Sequence, residues 1–219
     1  MLPLLLLLAL EDVSGGEILG ARLEAAIEGG RDVAVRLLYR IEAPAADRVA
    51  FSALEIDGAE IEEFAAYAAE TPLRVELEPR SGPKREGTIG LPKGTSALEL
   101  RYIVRGGAEP AEPTEDGLRV RLPCAILGLP IEETSAGLFS FAIVLPDGLR
   151  VIDSFPSHPI AGADGIYRWE LPLVPTFVTF RASSGTLLLT PTRVATTAVV
   201  VILAATGFVG VRQMRASRP

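Results

Sequence analysis

Asp32-Val33-Ala34-Val35-Arg36-Leu37-Leu38-Tyr39-Arg40-Ile41 decides the fold class, because its apolar side chains recur with period two. Val33, Val35, Leu37, Tyr39 and Ile41 fall on one face and Arg36 and Arg40 on the other. That is the pattern of a strand with one buried and one wetted side.

Further runs of this kind follow downstream. Val49 to Ile56 and Ala59 to Phe64 flank Asp57-Gly58, a pair that tolerates positive φ and predicts a two-residue hairpin. Leu73, Val75 and Leu77 alternate with Arg74, Glu76 and Glu78. Thr88 to Leu91 and Leu98 to Arg105 flank Pro92-Lys93-Gly94-Thr95, which reads as a tight turn with proline second and glycine after it. Leu118, Val120 and Leu122 resume the alternation. Phe139, Phe141, Ile143 and Leu145 lead through Pro146-Asp147-Gly148 into a returning strand from Leu149 to Ile152, a further expected hairpin. Tyr167, Trp169 and Leu171 share a face, and Thr176 to Arg181 closes the series.

Only Gly20 to Glu28 and Glu62 to Ala69 read as helical. Many short strands separated by turn residues predict a mainly β chain, an antiparallel β-sandwich that is immunoglobulin-like in outline but lacks that fold's cysteine pair. A division into two small β modules is the alternative. Gly106 to Gly117 is acidic and proline-rich, suited to a long loop or a linker, and Leu91-Pro-Lys-Gly94 returns as Leu145-Pro-Asp-Gly148.

The ends have a different character. Residues 1–16 form a signal-peptide-like segment with an apolar run from Leu2 to Leu10, too short to span a bilayer. Residues 194–211 carry no charge, and at about 1.5 Å per residue they reach roughly 27 Å, close to the bilayer core. Val194, Val199, Val200, Val201, Ile202, Leu203 and Phe208 supply its apolar surface, so a single transmembrane helix is expected there. Arg212, Arg215 and Arg218 follow without an acidic residue, which predicts a basic cytoplasmic tail at 212–219 and puts the β domain, residues 17–186, outside the cytoplasm. In outline the arrangement resembles bacterial envelope proteins that carry a signal peptide, a β-sandwich ectodomain and one C-terminal helix.

The net charge is −7, and the three tail arginines leave −10 for the first 193 residues, which argues against nucleic acid or anionic lipid as a partner. Cys124 is the single cysteine, so no internal disulfide forms, and it reads as a buried small hydrophobe. His158 is the single histidine. Asp153, Ser154 and His158 hold the residue types of a hydrolase triad, but three groups within six residues of one proline-broken loop do not converge as that chemistry requires. One histidine and one cysteine make no zinc set, and Glu112, Glu115 and Asp116 lack the alternation of a calcium loop. Neighbouring carboxylates such as Glu62 and Glu63, or Glu132 and Glu133, diverge on a strand.

The sequence therefore predicts no catalytic residues, cofactor or metal, and a non-enzymatic module. Its expected partners are the lipid bilayer and another envelope or membrane protein. The apolar patch Ala125 to Pro130, with Ile126, Leu127 and Leu129, is the candidate contact, together with strand edges. A carbohydrate or ligand site around Tyr167 and Trp169 is the second reading.

Overall fold

Alternating β-branched and aromatic side chains build the observed structure, a computed structural model that describes residues 16–28, 31–42, 47–80, 82–110, 117–131, 138–146, 148–157, 160–161 and 166–184. In chain order the strands are β1 (Ile18–Glu28), β2 (Asp32–Ile41), β3 (Arg48–Leu54), β4 (Glu60–Ala68), β5 (Thr71–Pro72), β6 (Val75–Leu77), β7 (Lys84–Gly90) and β8 (Ala97–Arg105). They continue as β9 (Ala108–Pro110), β10 (Gly117–Pro123), β11 (Ile126–Leu127), β12 (Phe139–Val144), β13 (Arg150–Phe155), β14 (Ile160–Ala161), β15 (Ile166–Leu171) and β16 (Phe177–Ser183). Among the described residues there is no helix. The signal-peptide-like segment, the expected span and the basic tail lie outside them.

One large sheet runs β14-β15-β12-β1-β2-β8-β4-β5, and two four-stranded sheets run β13-β16-β10-β9 and β11-β3-β7-β6. In the large sheet, Leu23, Leu37 and Leu100 lie in one cross-strand row and Ala25, Val35 and Tyr102 in the next, all buried. The alternation read in residues 32–41 is thus the inner face of β2. This face meets the two small sheets through aromatic rings. Phe51 of β3 stacks on Phe64 of β4 at 4.3 Å, while Phe141 of β12 and Trp169 of β15 stand 6.5 and 6.1 Å from Phe180 of β16. Each such side chain contributes about 1.5–3 kcal/mol by leaving water.

The expected hairpins are corrected, although their turns form. Asp57 and Gly58 take φ of 46° and 80°, and Ala59 N–H donates to the Ile56 carbonyl at 2.8 Å. Only the bridge Ile56 to Ala59 follows, after which β3 and β4 part into different sheets. The turn at Pro92 likewise carries the chain from β7 in a small sheet to β8 in the large one, and the turn at Pro146 from β12 to β13. For β3 and β4 the parting sets apolar faces against each other, as Phe51 on Phe64, where a continued hairpin would lay them side by side. Both Leu-Pro-x-Gly phrases make the same corner: Thr95 N–H donates to Pro92 and Leu149 N–H to Pro146, each at 3.2 Å. Proline is therefore first in the turn and glycine third, one place earlier than the sequence reading, with Gly94 and Gly148 at φ of 82° and 84°.

Two segments read as helices are strands. Gly20 to Glu28 lies within β1 and pairs there without a break, its alanines, Leu23 and glutamates being good helix formers that the sheet overrides. Glu62 to Ala69 overlaps β4 and carries a register shift between Glu62 and Ala65, with Glu63 at φ 50°; such a bulge adds a residue to the period of two and imitates helical spacing locally. The purely antiparallel expectation is also corrected, because β1 pairs parallel with β12. More than a hundred residues separate the two strands, and parallel pairing needs only a long connection. Through that pair, residues on both sides of 106–117 belong to one sheet.

Candidate functional site

The outer face of the large sheet carries a ladder of charge. Arg22 pairs with Glu24 at 2.8 Å and Arg36 reaches Glu24 at 3.6 Å; Arg36 and Arg101 both donate from Nε to Glu99 Oε1 at 2.5 Å. Arg101 also reaches Glu70 at 3.2 Å and lies over the Tyr67 ring at 4.3 Å. The Arg36 and Arg101 hydrogen bonds hold the Glu99 carboxyl down at about 2. A group ionised so firmly does not exchange protons near neutral pH, so Glu99 is suited to holding β2 and β8 together. A shallow groove of about 470 Å³ beside it is floored by Ala34 and Ile103 and edged by Glu24, Arg36, Glu63 and Arg101.

The outer face of the β13-β16-β10-β9 sheet is built differently. Arg119 and Arg121 alternate with the buried Val120 and Leu122, and Arg181 stands directly opposite Arg119. Arg121 is the deepest, its side chain 8% exposed, with Nη1 donating to the Asp57 carbonyl at 2.5 Å and Nη2 to Glu109. Its Nε is buried and has no partner among the described residues. These arginines line a groove of about 260 Å³ with Asp57, Asp153, Phe155 and Thr179. Phe155, 56% exposed, packs its ring 5.3 Å from Phe177. Cations and an open aromatic surface therefore share one groove, along the edge strand β13.

The residues singled out in the sequence are distributed unevenly. Ile126 and Leu127 form β11 against β3, but Leu127 is 2% exposed and faces the core with Ala125, so of the three apolar side chains named for the contact patch Ile126 and Leu129 keep part of their surface. Both β11 residues border a groove of about 450 Å³ with Glu78 and Glu86. Cys124 is buried, and burial pushes its thiol up to about 12. Tyr39 and Tyr102 donate their hydroxyls to the carbonyls of Ala125 and Pro123, at 2.6 and 2.8 Å. Trp169 is 1% exposed, lies 4.6 Å from Phe141 and donates Nε1–H to the Pro156 carbonyl, which removes it as a sugar platform. His158, Glu112, Glu115, Asp116, Glu132 and Glu133 lie outside the described residues, as do Val194, Val199, Val200, Val201, Ile202, Leu203, Phe208, Arg212, Arg215 and Arg218.

Among the described residues no three His, Cys, Asp or Glu side chains are grouped to hold a metal ion, and no helix is long and apolar enough to cross a membrane. The groove arginines were missed in the sequence. Their signal, charged residues alternating with apolar ones in 117–123 and 177–183, is present, but the pairing of those segments is not visible along the chain.

Neither a protein-family model nor a curated protein sequence matches this chain. Among solved structures it is similar in fold to yeast LTA4 hydrolase in complex with bestatin, with a TM-score of 0.50 and 11% identity over 77% of this chain and 28% of the hydrolase. An M1 zinc metallopeptidase from Deinococcus radiodurans aligns with a TM-score of 0.41 and 12% identity, over 77% of this chain and 42% of that one. The chain thus spans less than half of either, and the likeness is one of fold.

Proposed function

We propose that this chain is a non-enzymatic interaction module: a two-layer β-sandwich held outside the cytoplasm by one C-terminal transmembrane helix, binding another envelope protein. The observation that carries the binding reading is the exposed Phe155 beside the arginine groove on edge strand β13. Edge strands offer unpaired backbone groups, and an aromatic beside a desolvated arginine is the usual composition of an interface centre. The charge-free residues 194–211 and the arginines behind them support the anchor.

Two measurements test this. A periplasm-active reporter fused after Gly185 and a cytoplasm-active one after Pro219 are expected to be active in those compartments; the reverse pattern overturns the outward topology. A photo-cross-linker at position 155 in intact cells is expected to capture a protein that the same group at position 22, on the charge ladder, does not. Equal capture from both positions removes Phe155 from the interface.

The likeness to a hydrolase pulls against the non-enzymatic reading. It extends over 28% of that enzyme, so the activity is assayed directly. Chelator-sensitive peptide hydrolysis by the purified chain would replace the proposal with an enzyme.

A further inference from the structure

We propose that the groove on the β13-β16-β10-β9 sheet binds a carboxylate of an acidic peptide segment, seated between Arg119 and Arg181 with Phe155 packed alongside. This rests on the reading of the domain as a protein-binding module and names the chemistry of the partner.

Arg119 and Arg181 stand directly opposite on β10 and β16, an arrangement that is unfavourable unless an anion lies between. The carboxylate nearest to hand is already committed, because Glu109 reaches Arg119 at 3.6 Å while accepting from Arg121. Asp153 occupies the same row as Arg181 on β13, beside the register shift at Val151 and Asp153, and no ion pair closes between them among the described residues. Arg121 lies beneath, nine-tenths buried and ion-paired through its Nη atoms with the Asp57 and Glu109 carboxylates, while its Nε is unpartnered among the described residues. All this occurs on a chain of net charge −7.

A planar carboxylate matches the guanidinium fork. The open Phe155 ring against Phe177 adds apolar contact that a free inorganic anion cannot use. Together they favour a peptide bearing both acidic and apolar side chains.

The test is fluorescence anisotropy of the full-length chain in detergent with a labelled Glu-Leu-Glu-Leu-Glu peptide. Saturable binding is expected, weakening as salt rises from about 0.05 to about 0.5 M. It should be at least about tenfold weaker for the Gln-Leu-Gln-Leu-Gln peptide and for Arg181→Gln. Asp153→Arg, a change at an exposed position, is expected to tighten binding, and it decides the matter if Arg181→Gln does not fold. Absent binding, equal affinity for the glutamine peptide, or indifference to both variants overturns the proposal. So does displacement of the peptide by inorganic phosphate at matched ionic strength, which would mark a simple anion site. If position 155 still captures its partner in cells when Arg181→Gln is introduced, the module reading stands and the acidic-segment inference falls.

Discussion

The Arg36 guanidinium closes on the Glu99 carboxylate from the adjacent strand, Nε to Oε1 at 2.5 Å and Nη2 to Oε2 at 3.2 Å. This fork, reinforced by Arg101, joins β2 to β8 on the face opposite the core. The Glu99 side chain is only 11% exposed, so removing its charge leaves two guanidinium groups facing a neutral amide.

Glu99→Gln is therefore expected to cost about 1–3 kcal/mol near neutral pH. The pH dependence has a definite sign. The folded carboxyl is held at about 2 against an ordinary 4.5, so the unfolded chain takes up the proton first. The contribution of Glu99 is fully present above about pH 4.5 and is lost as pH falls toward 2. Urea unfolding of both proteins should show the gap narrowing through that window, and a constant gap would remove the fork from the stability of the sheet.

A second prediction concerns the buried thiol. Cys124 lies between Pro123 and Ala125, whose carbonyls accept the hydroxyls of Tyr102 and Tyr39. In the native chain Cys124 should resist a thiol reagent at about pH 8, since burial raises the thiol to about 12 and denies access. Labelling then proceeds through opening, and its rate reports the population of the open form. Tyr102→Phe leaves a buried carbonyl without its donor, a loss of about 1–2 kcal/mol, and should speed labelling roughly 5- to 30-fold. Unchanged labelling would show that this segment opens independently of the tyrosine anchors.

How far the sequence foretold these features depends on the range of the interaction. The inner face of β2 was legible residue by residue, because Val33 to Ile41 alternate without a bulge and the core is on one side. The turns at Asp57-Gly58 and at the two Leu-Pro-x-Gly phrases were legible because positive φ is a local demand. The sheet that each chain enters after the turn was not, since that is set by which aromatic ring meets which, as Phe51 meets Phe64. A bulge at Glu63 gave β4 an apparent helical spacing, and the alanine-rich composition of residues 20–28 did the same for β1. The arginine groove needed the pairing of β10 with β16, whose sequences are some 60 residues apart. Likewise, Leu127 looked like contact surface until β11 was seen against β3.

Glycine substitutions separate two physical demands made by the corners and the sheet. A Cβ at Gly94 or Gly148 would have nothing within 4 Å, so Gly94→Ala and Gly148→Ala carry only the dihedral cost of φ near +82° and +84°, about 1–2 kcal/mol each. The corners lie at different junctions between sheets, so the two losses should add in the double variant to within about 0.5 kcal/mol. Gly87 on β7 has no such angle, yet a Cβ there would sit 2.6 Å from the Glu76 carbonyl oxygen and 2.9 Å from the Phe51 ring. The backbone of β6 and a ring stacked on Phe64 have little room to yield, so Gly87→Ala should cost about 2–3 kcal/mol or more. Thermal melts of the three variants test the distinction. A Gly87→Ala protein as stable as the corner variants would mean that β6, the edge strand, moves aside and that Phe51 is less tightly held than its stack implies.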